Sequence, residues 1–299
     1  MLAATIATVV GFSAVVVLIA TAIYATIVIG KRRRKARFVT FGYEVRDFQL
    51  AQEGAVQYAQ WLHPKDGEKI VTQEQVDAIR QYVTEGDTVI DIGAHSGDTT
   101  IPMALAAGAS GCAFAFEPNP YVFEVLKKNA SLNTEKTNIV PLNLAATEEN
   151  GEFVFHYSDG GFCNGGFLSR LNRRHGHHST LTVQGRVVET LLAGDYPERL
   201  ARLSLIKVDA EGYDANVLKS MAGLIRKHQP VIICECYKRL GDEERHHLFD
   251  VLNEAGYECH RQTESGWRPQ EKLERDDMSN WPHFDIIAFP RNKHATQAA

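Results

Sequence analysis

Thr88-Val-Ile-Asp-Ile-Gly-Ala-His-Ser-Gly97 decides how this chain is read. Val89, Ile90 and Ile92 are branched apolar residues in a nearly unbroken run, the pattern of a strand buried on both faces. Asp91 interrupts the run near its end, Gly93 and Gly97 follow at a spacing of four, and Thr99 to Ala107 then opens a helical pattern. Strand, glycine turn and helix form a nucleotide-binding layout. Glycine lets backbone approach a ligand closely, and a helix N-terminus offers unpaired N–H groups. The same stretch also suits a tight strand-to-helix turn with no ligand, because short glycine motifs are weak evidence on their own.

The next unit favours the ligand. Cys112-Ala-Phe-Ala-Phe116 reads as a second buried strand, and it ends on Glu117-Pro-Asn-Pro120. Glu117 lies 20 residues beyond Gly97. An acidic residue at the end of the second strand can accept both ribose hydroxyls of an adenosine ligand. Pro118 and Pro120 stop the strand, and a helix is expected from Tyr121 to Ser131.

Working outward, the 299 residues suffice for one large α/β domain with additions. Leu2 to Gly30 holds no charged side chain, and Lys31-Arg-Arg-Arg-Lys35 follows at once. That run exceeds the about 20 apolar residues needed to span a bilayer core. The basic cluster follows the apolar run, against the order of a cleaved signal peptide. By the positive-inside rule the cluster stays cytoplasmic, giving a single-pass membrane protein with its N-terminus out and its catalytic domain in the cytosol. Residues 1–37 carry six basic and no acidic side chains, which leaves −11 on the remainder once they are taken from the net −5. An acidic remainder argues against nucleic acid as a partner. Five cysteines without framework spacing suit a reducing compartment.

The expected organisation is a transmembrane helix over 1–30, then a basic juxtamembrane segment with connector and cap over 31–72. A catalytic domain follows over 73–290, with an insertion at about 151–188 and a disordered tail over 291–299. Gln73 to Thr84 has helical spacing. Asn138-Ile-Val-Pro-Leu142, Leu203-Ser-Leu-Ile-Lys-Val208 and Pro230-Val-Ile-Ile-Cys234 read as three further strands. A helix is expected over Ala215 to His228 and another over Glu243 to Ala255. Tyr257 to Arg261 and Phe284 to Phe289 are candidates for a closing hairpin. The insertion alternates Phe153, Phe155 and Tyr157 with Val154 and His156, then passes through a glycine-rich loop to a strand-like Leu181 to Val188. His175, His177 and His178 lie in a polar loop without the usual ligand spacing and read as solvated, not as a metal site. Cys234 and Cys236 share one strand face and read as packing residues.

Four pieces together resemble the FkbM family of S-adenosylmethionine-dependent methyltransferases: Val89-Ile-Asp-Ile-Gly-Ala-His-Ser-Gly97, Phe116-Glu-Pro-Asn-Pro120, Ile206-Lys-Val-Asp-Ala-Glu-Gly212 and Pro230-Val-Ile-Ile-Cys-Glu235. His95 departs from the family, which more usually has Asn there. The resemblance implies a class I methyltransferase fold: α/β, Rossmann-like and doubly wound, with a mostly parallel seven-stranded sheet. It also implies methyl transfer to oxygen, often a hydroxyl of a sugar, glycolipid or natural product. With the anchor, this points to a small-molecule, glycan or lipid-linked acceptor.

The candidate cofactor-binding residues are Asp91, Gly93, Ala94, His95, Ser96, Gly97, Glu117, Asn119 and Ala145. Asp209, Glu211 and Glu235, expected at the ends of adjacent strands, are the candidate catalytic residues, and no metal ligands are expected. Asp209 and Glu211 would equally suit helix capping, since acidic groups are favoured at a helix N-terminus. A nicotinamide-dependent oxidoreductase is the competing enzyme reading, but His95 stands where Gly-x-Gly-x-x-Gly has its middle glycine. A non-catalytic cofactor-binding membrane module is the third.

Overall fold

The computed structural model describes residues 19–26, 40–157, 167–168, 179–263 and 266–291. Residues 19–26, part of α1, are helical and exposed. The rest of the apolar run, the basic cluster, the three loop histidines and the tail from 292 lie outside the described residues. Among the described residues no helix is long and apolar enough to cross a membrane.

The central sheet is built from β3 (Thr88–Ile92), β4 (Cys112–Phe116), β5 (Ile139–Leu142), β10 (Leu203–Val208), β11 (Val231–Cys236), β12 (Tyr257–Gln262), β13 (Pro269–Lys272) and β14 (Phe284–Pro290). Their order is β13-β12-β14-β11-β10-β3-β4-β5. β5, β4, β3, β10 and β11 run parallel, while β14 runs antiparallel to both β11 and β12. The sheet is therefore mixed and has eight strands, where seven were expected. The additional strand, β13, pairs antiparallel with β12 from inside the polar segment that precedes β14. Its four residues, Pro-Gln-Glu-Lys, are all exposed, so it carries no apolar alternation to mark it. The closing hairpin is present, with Tyr257 opposite Pro290 and Arg261 opposite Ile286.

Alternation of side chains along each strand feeds two cores. Ile90, Ile92, Phe114, Phe116 and Ile206 face one side. There they pack with α5 (Val188–Asp195), α6 (Pro197–Leu200), α7 (Asp214–Ser220), α8 (Ala222–His228) and α9 (Asp242–Glu254). Val89, Ala113, Leu205, Ile233 and Ile287 face the other side and pack against α2 (Gln73–Ile79) and α3 (Thr100–Ala107). Both faces are thus covered by helices, as the doubly wound reading requires. The single helix expected over 215–228 is two, separated at Met221, whose buried side chain packs in the first core.

The connector before α2 is a β-hairpin, β1 (Tyr43–Leu50) with β2 (Gly54–Trp61), paired in register from Tyr43 opposite Trp61 to Leu50 opposite Gly54. It packs on α4 (Pro120–Ser131), which places it beside the glycine turn. A second sheet of order β6-β9-β7-β8 joins β6 (Ala145–Ala146), β7 (Gly151–Tyr157), β8 (Phe167–Leu168) and β9 (Ser179–Arg186).

Candidate active site

The chain runs from β3 to β4 to β5 on one side of the sheet, then returns to β10 and β11 on the other. The switch point lies between β3 and β10, and open α/β sheets bind ligands in the crevice beyond the strand ends at such a point. Five candidate residues lie there as one turn after β3. The N–H groups of Gly93 and Ala94 both donate to the Phe116 carbonyl, each at 3.0 Å, and Asp209 N–H donates to Ile92 O at 3.0 Å. Gly93, His95 and Gly97 all take positive φ, at 76°, 50° and 97°. A Cβ on Gly93 would fall far inside contact distance of the Asp209 carbonyl oxygen. The glycine is required by the close approach of the two strand ends, before any ligand is considered.

Asp91 is fully buried. Its Oδ2 accepts from Thr99 Oγ1 at 2.9 Å and Thr100 Oγ1 at 2.6 Å, which ties the strand end to the start of α3. Its Oδ1 has no hydrogen-bond partner among the described residues and lies 3.5 Å from Lys207 Nζ. Glu117 Oε2 accepts His95 N–H at 2.9 Å, and Oε1 accepts Asn119 N–H at 2.7 Å. Burial pushes the Glu117 carboxyl up to about 7, with Asp91 and Asp209 adding to the rise and the two backbone donors opposing it. Asn119 accepts from Tyr121 N–H and so caps α4. Ala145 is buried in β6, where it pairs with Gly185 and packs with Phe155 and Val183, in the second sheet. His95 is in edge contact with Trp61 at 5.6 Å, and burial lowers its ring to about 4, which keeps it neutral at pH 7.

The other bank of the crevice carries the candidate catalytic carboxylates. Asp209 directly follows β10, and Glu211 sits in the turn to α7 with φ of 51°. Glu235 is the penultimate residue of β11, paired in register with Asp285 of β14. Lys207 Nζ lies 3.5 Å from both Asp91 Oδ1 and Asp209 Oδ2, bridging the two banks. Burial opposes the Lys207 charge, but Asp91, Asp209, Asp98 and Asp285 together keep the ammonium protonated. Burial raises Glu211, with Asp209 adding, while a hydrogen bond with Tyr237 lowers it. Glu235 is raised far above the carboxylate range by burial, then by Asp209, Glu211, Asp214 and Asp285. Its Oε1 is 3.5 Å from His283 Nδ1, and its buried Oε2 has no hydrogen-bond partner among the described residues. Like charges this crowded favour retention of a proton within the group.

Three contributors were not singled out from sequence. Lys207 lies inside a quoted motif, and a lysine in an otherwise apolar strand was the available signal. Asp214, at the start of α7, accepts the N–H groups of Ala210, Gly212 and Glu235 at 3.1–3.4 Å and so holds the turn bearing Glu211 against β11. Tyr58 of β2 shares a 2.7 Å hydrogen bond with Ser96, a pairing across 38 residues that no local pattern announces.

The model of the methyltransferase FkbM domain matches residues 91–259, which spans both banks. The chain belongs to the FkbM methyltransferase family. Hexuronic acid methyltransferase AglP of Haloferax volcanii is 23% identical over 163 residues, covering 54% of this chain and 61% of that relative's length. A methyltransferase FkbM from Methylobacillus flagellatus aligns over 69% of this chain and 44% of its own, with 15% identity and a TM-score of 0.42. An S-adenosylmethionine-dependent O-methyltransferase from Thermotoga maritima aligns over 82% and 77%, with 15% identity and a TM-score of 0.39.

The oxidoreductase reading gives way to the family assignment. This FkbM methyltransferase uses S-adenosylmethionine, and the turn fits that cofactor. Glu117 directly follows β4, its carboxyl anchored by backbone donors. Asp91 Oδ1 is buried, accepts no hydrogen bond among the described residues and lies 3.5 Å from Lys207 Nζ, and such an acidic side chain suits a ligand bearing an ammonium and a sulfonium.

Proposed function

We propose that this FkbM methyltransferase is membrane-anchored and methylates a hydroxyl on a sugar, glycolipid or natural-product acceptor. The observation that carries oxygen as the target is the carboxylate group opposite the cofactor turn. A hydroxyl must lose its proton as the new bond forms, and a positioned carboxylate can take it. The similarity to AglP, a hexuronic acid methyltransferase, supports a sugar acceptor. The anchor rests on the uncharged run from Leu2 to Gly30 with its basic flank. An acidic soluble part and an anchored position favour a glycan or lipid-linked acceptor over nucleic acid.

Bound S-adenosylmethionine supplies an electrophilic methyl on sulfur. Glu117 would bind the ribose hydroxyls, and the turn from Gly93 to Gly97 would hold the ligand against its backbone. Asp91, 3.5 Å from Lys207 Nζ, would face the cofactor's cationic part. Glu235 holds the proton retained by the crowded carboxylates, leaving Glu211 ionised. Glu211 then accepts the acceptor's hydroxyl proton, with Tyr237 bonded to its carboxylate. Asp209, through Lys207, sets the charge between the two banks. This route uses no metal.

The test titrates the protein with S-adenosylmethionine and with NAD, then follows methyl transfer to a panel of sugars. Binding of S-adenosylmethionine alone and methylation at oxygen, unaffected by EDTA, are expected. Loss of rate with EDTA and recovery with magnesium would make the carboxylates metal ligands. Cofactor binding with no transfer to any acceptor would favour the non-catalytic module. Metabolite profiling of a deletion strain for a missing methyl increment of about 14 mass units would identify the acceptor.

A further inference from the structure

The β1–β2 hairpin precedes the strand–turn–helix unit that binds the cofactor, and no motif connects it to catalysis. Its contacts converge on that turn. Tyr58 and Ser96, both fully buried, share a hydrogen bond of 2.7 Å. The buried Asn129 side chain of α4 accepts Ala59 N–H at 2.6 Å and donates to both Ala59 O at 3.0 Å and Ser96 O at 2.7 Å. It therefore bolts β2, the turn and α4 together at one point. Trp61 lies edge-on to the His95 ring, and Ser96 Oγ lies 3.3 Å from His95 Nδ1. Just beyond the hairpin, Lys69 pairs with Asp98 at 2.8 Å. Burial and the nearby Asp98 keep the Tyr58 hydroxyl protonated.

The geometry points to the hairpin as a working part of the cofactor site, with Tyr58 as a positioning residue for the turn. The turn needs such support. It holds three consecutive alternate residues, Gly93, His95 and Gly97, at positive φ, and His95 is not glycine. It meets the candidate ribose-binding carboxylate through the His95 N–H on Glu117 Oε2. Fixing Ser96 from both its hydroxyl and its carbonyl pins the turn immediately after the residue that offers this N–H. A preorganised turn binds its ligand without first losing conformational freedom, so loosening it weakens affinity without removing any ligand contact. Tyr58 acts through Ser96 and touches no reacting atom.

The experiment measures S-adenosylmethionine and S-adenosylhomocysteine binding by calorimetry for the full chain and for Tyr58→Phe, Ser96→Ala and the double variant. Tyr257→Phe serves as the control. It removes another buried tyrosine hydroxyl, bonded to Pro230 O at 2.8 Å on the far edge of the sheet. Tyr58→Phe is expected to weaken both ligands about five- to tenfold, the worth of one buried hydrogen bond. Ser96→Ala should do the same and the double variant little more, because both remove one shared interaction. Tyr257→Phe should lower the melting temperature comparably and leave both affinities unchanged. The proposal is overturned if Tyr58→Phe loses thermal stability while binding both ligands as the unmodified chain does, or if the control weakens binding equally. Failure of the unmodified chain to bind S-adenosylmethionine would instead strike at the cofactor assignment.

Discussion

The two banks of the crevice are built by opposite means. The cofactor bank is held by neutral groups: Thr99 and Thr100 on Asp91, Tyr58 on Ser96, Asn129 across three elements, and backbone amides on Glu117. The acceptor bank is held by charge. Burial and then the Asp209 charge raise Glu211, Asp214, Glu235 and Asp285, with Lys207 between the banks and His283 beside Glu235. Neutral donors keep their geometry across a wide pH range, which suits binding, and Glu117, pushed up to about 7, is the group they hold that titrates near neutral pH. Crowded carboxylates exchange a proton readily, which suits chemistry but makes the bank sensitive to pH.

The largest expected effect falls where the banks touch. Gly93→Val would drive a branched side chain into the Asp209 carbonyl at a φ of 76°. The expected loss of stability is about 4 kcal/mol or more, since backbone collision adds to left-handed strain. A thermal melt should lose its cooperative transition or move far down. A variant that melts normally and only fails to bind S-adenosylmethionine would mean that ligand space, and not the seam, dictates glycine.

Next in size is the acceptor bank itself. Glu211→Gln should lower turnover by roughly 10²–10⁴, the usual worth of a general base, with cofactor affinity retained. The ascending limb of the pH–rate profile should lie above the ordinary carboxylate range, because burial and Asp209 raise Glu211. The sign for Tyr237→Phe follows from its hydrogen bond, which lowers Glu211: without it the limb moves to higher pH. A profile that stays in place would remove Glu211 as the group that titrates. On the cofactor bank, Glu117→Ala should weaken S-adenosylmethionine binding by about 1.5–3 kcal/mol, the range for hydrogen bonds to a charged group. Unchanged affinity in a folded variant would take Glu117 out of the site.

How much was legible in sequence follows the same division. β3, β4 and their helices stood out because strands buried on both faces are written as local apolar runs. Asp91, Gly93, Gly97, Glu117 and Asp209 were legible because strand ends and turns carry local signals. The hairpin reads from sequence only as a connector and cap, because what defines it is its partner. Phe48, Leu50, Val56 and Tyr58 meet the second core, and Ala59 and Trp61 meet α4, through chain separations that periodicity does not encode. β13 escaped because an exposed edge strand has no buried face. The break at Met221 escaped because its flanking residues keep helical spacing straight through it. Asn119 is a cofactor candidate on motif grounds, and its side chain also caps α4.

The smallest expected effect is at His95, and it tests whether this ring adds a charge to the cofactor bank. His95 holds φ of 50°, a region that non-glycine residues enter at a cost and that Asn and His tolerate better than most. The family's usual Asn is thus explained by backbone shape alone. His95→Asn should ease the backbone by a few tenths of a kcal/mol and give up an aromatic contact with Trp61 worth about 0.5 kcal/mol or slightly more. The two nearly cancel, so stability should change by less than about 1 kcal/mol. The pH behaviour discriminates more sharply. Burial lowers the ring to about 4, so it is already neutral between pH 5 and 8 and contributes no titration there. A histidine depressed in the fold binds fewer protons than its unfolded counterpart below its ordinary value. It therefore costs stability as pH falls from about 6.5 towards 4, and His95→Asn should flatten stability over that acidic window only. Cofactor affinity measured from pH 5 to 8 should follow the same curve in variant and parent. If His95→Asn instead removes a step in cofactor affinity near pH 6, the ring is charged in the folded protein and titrates alongside Glu117.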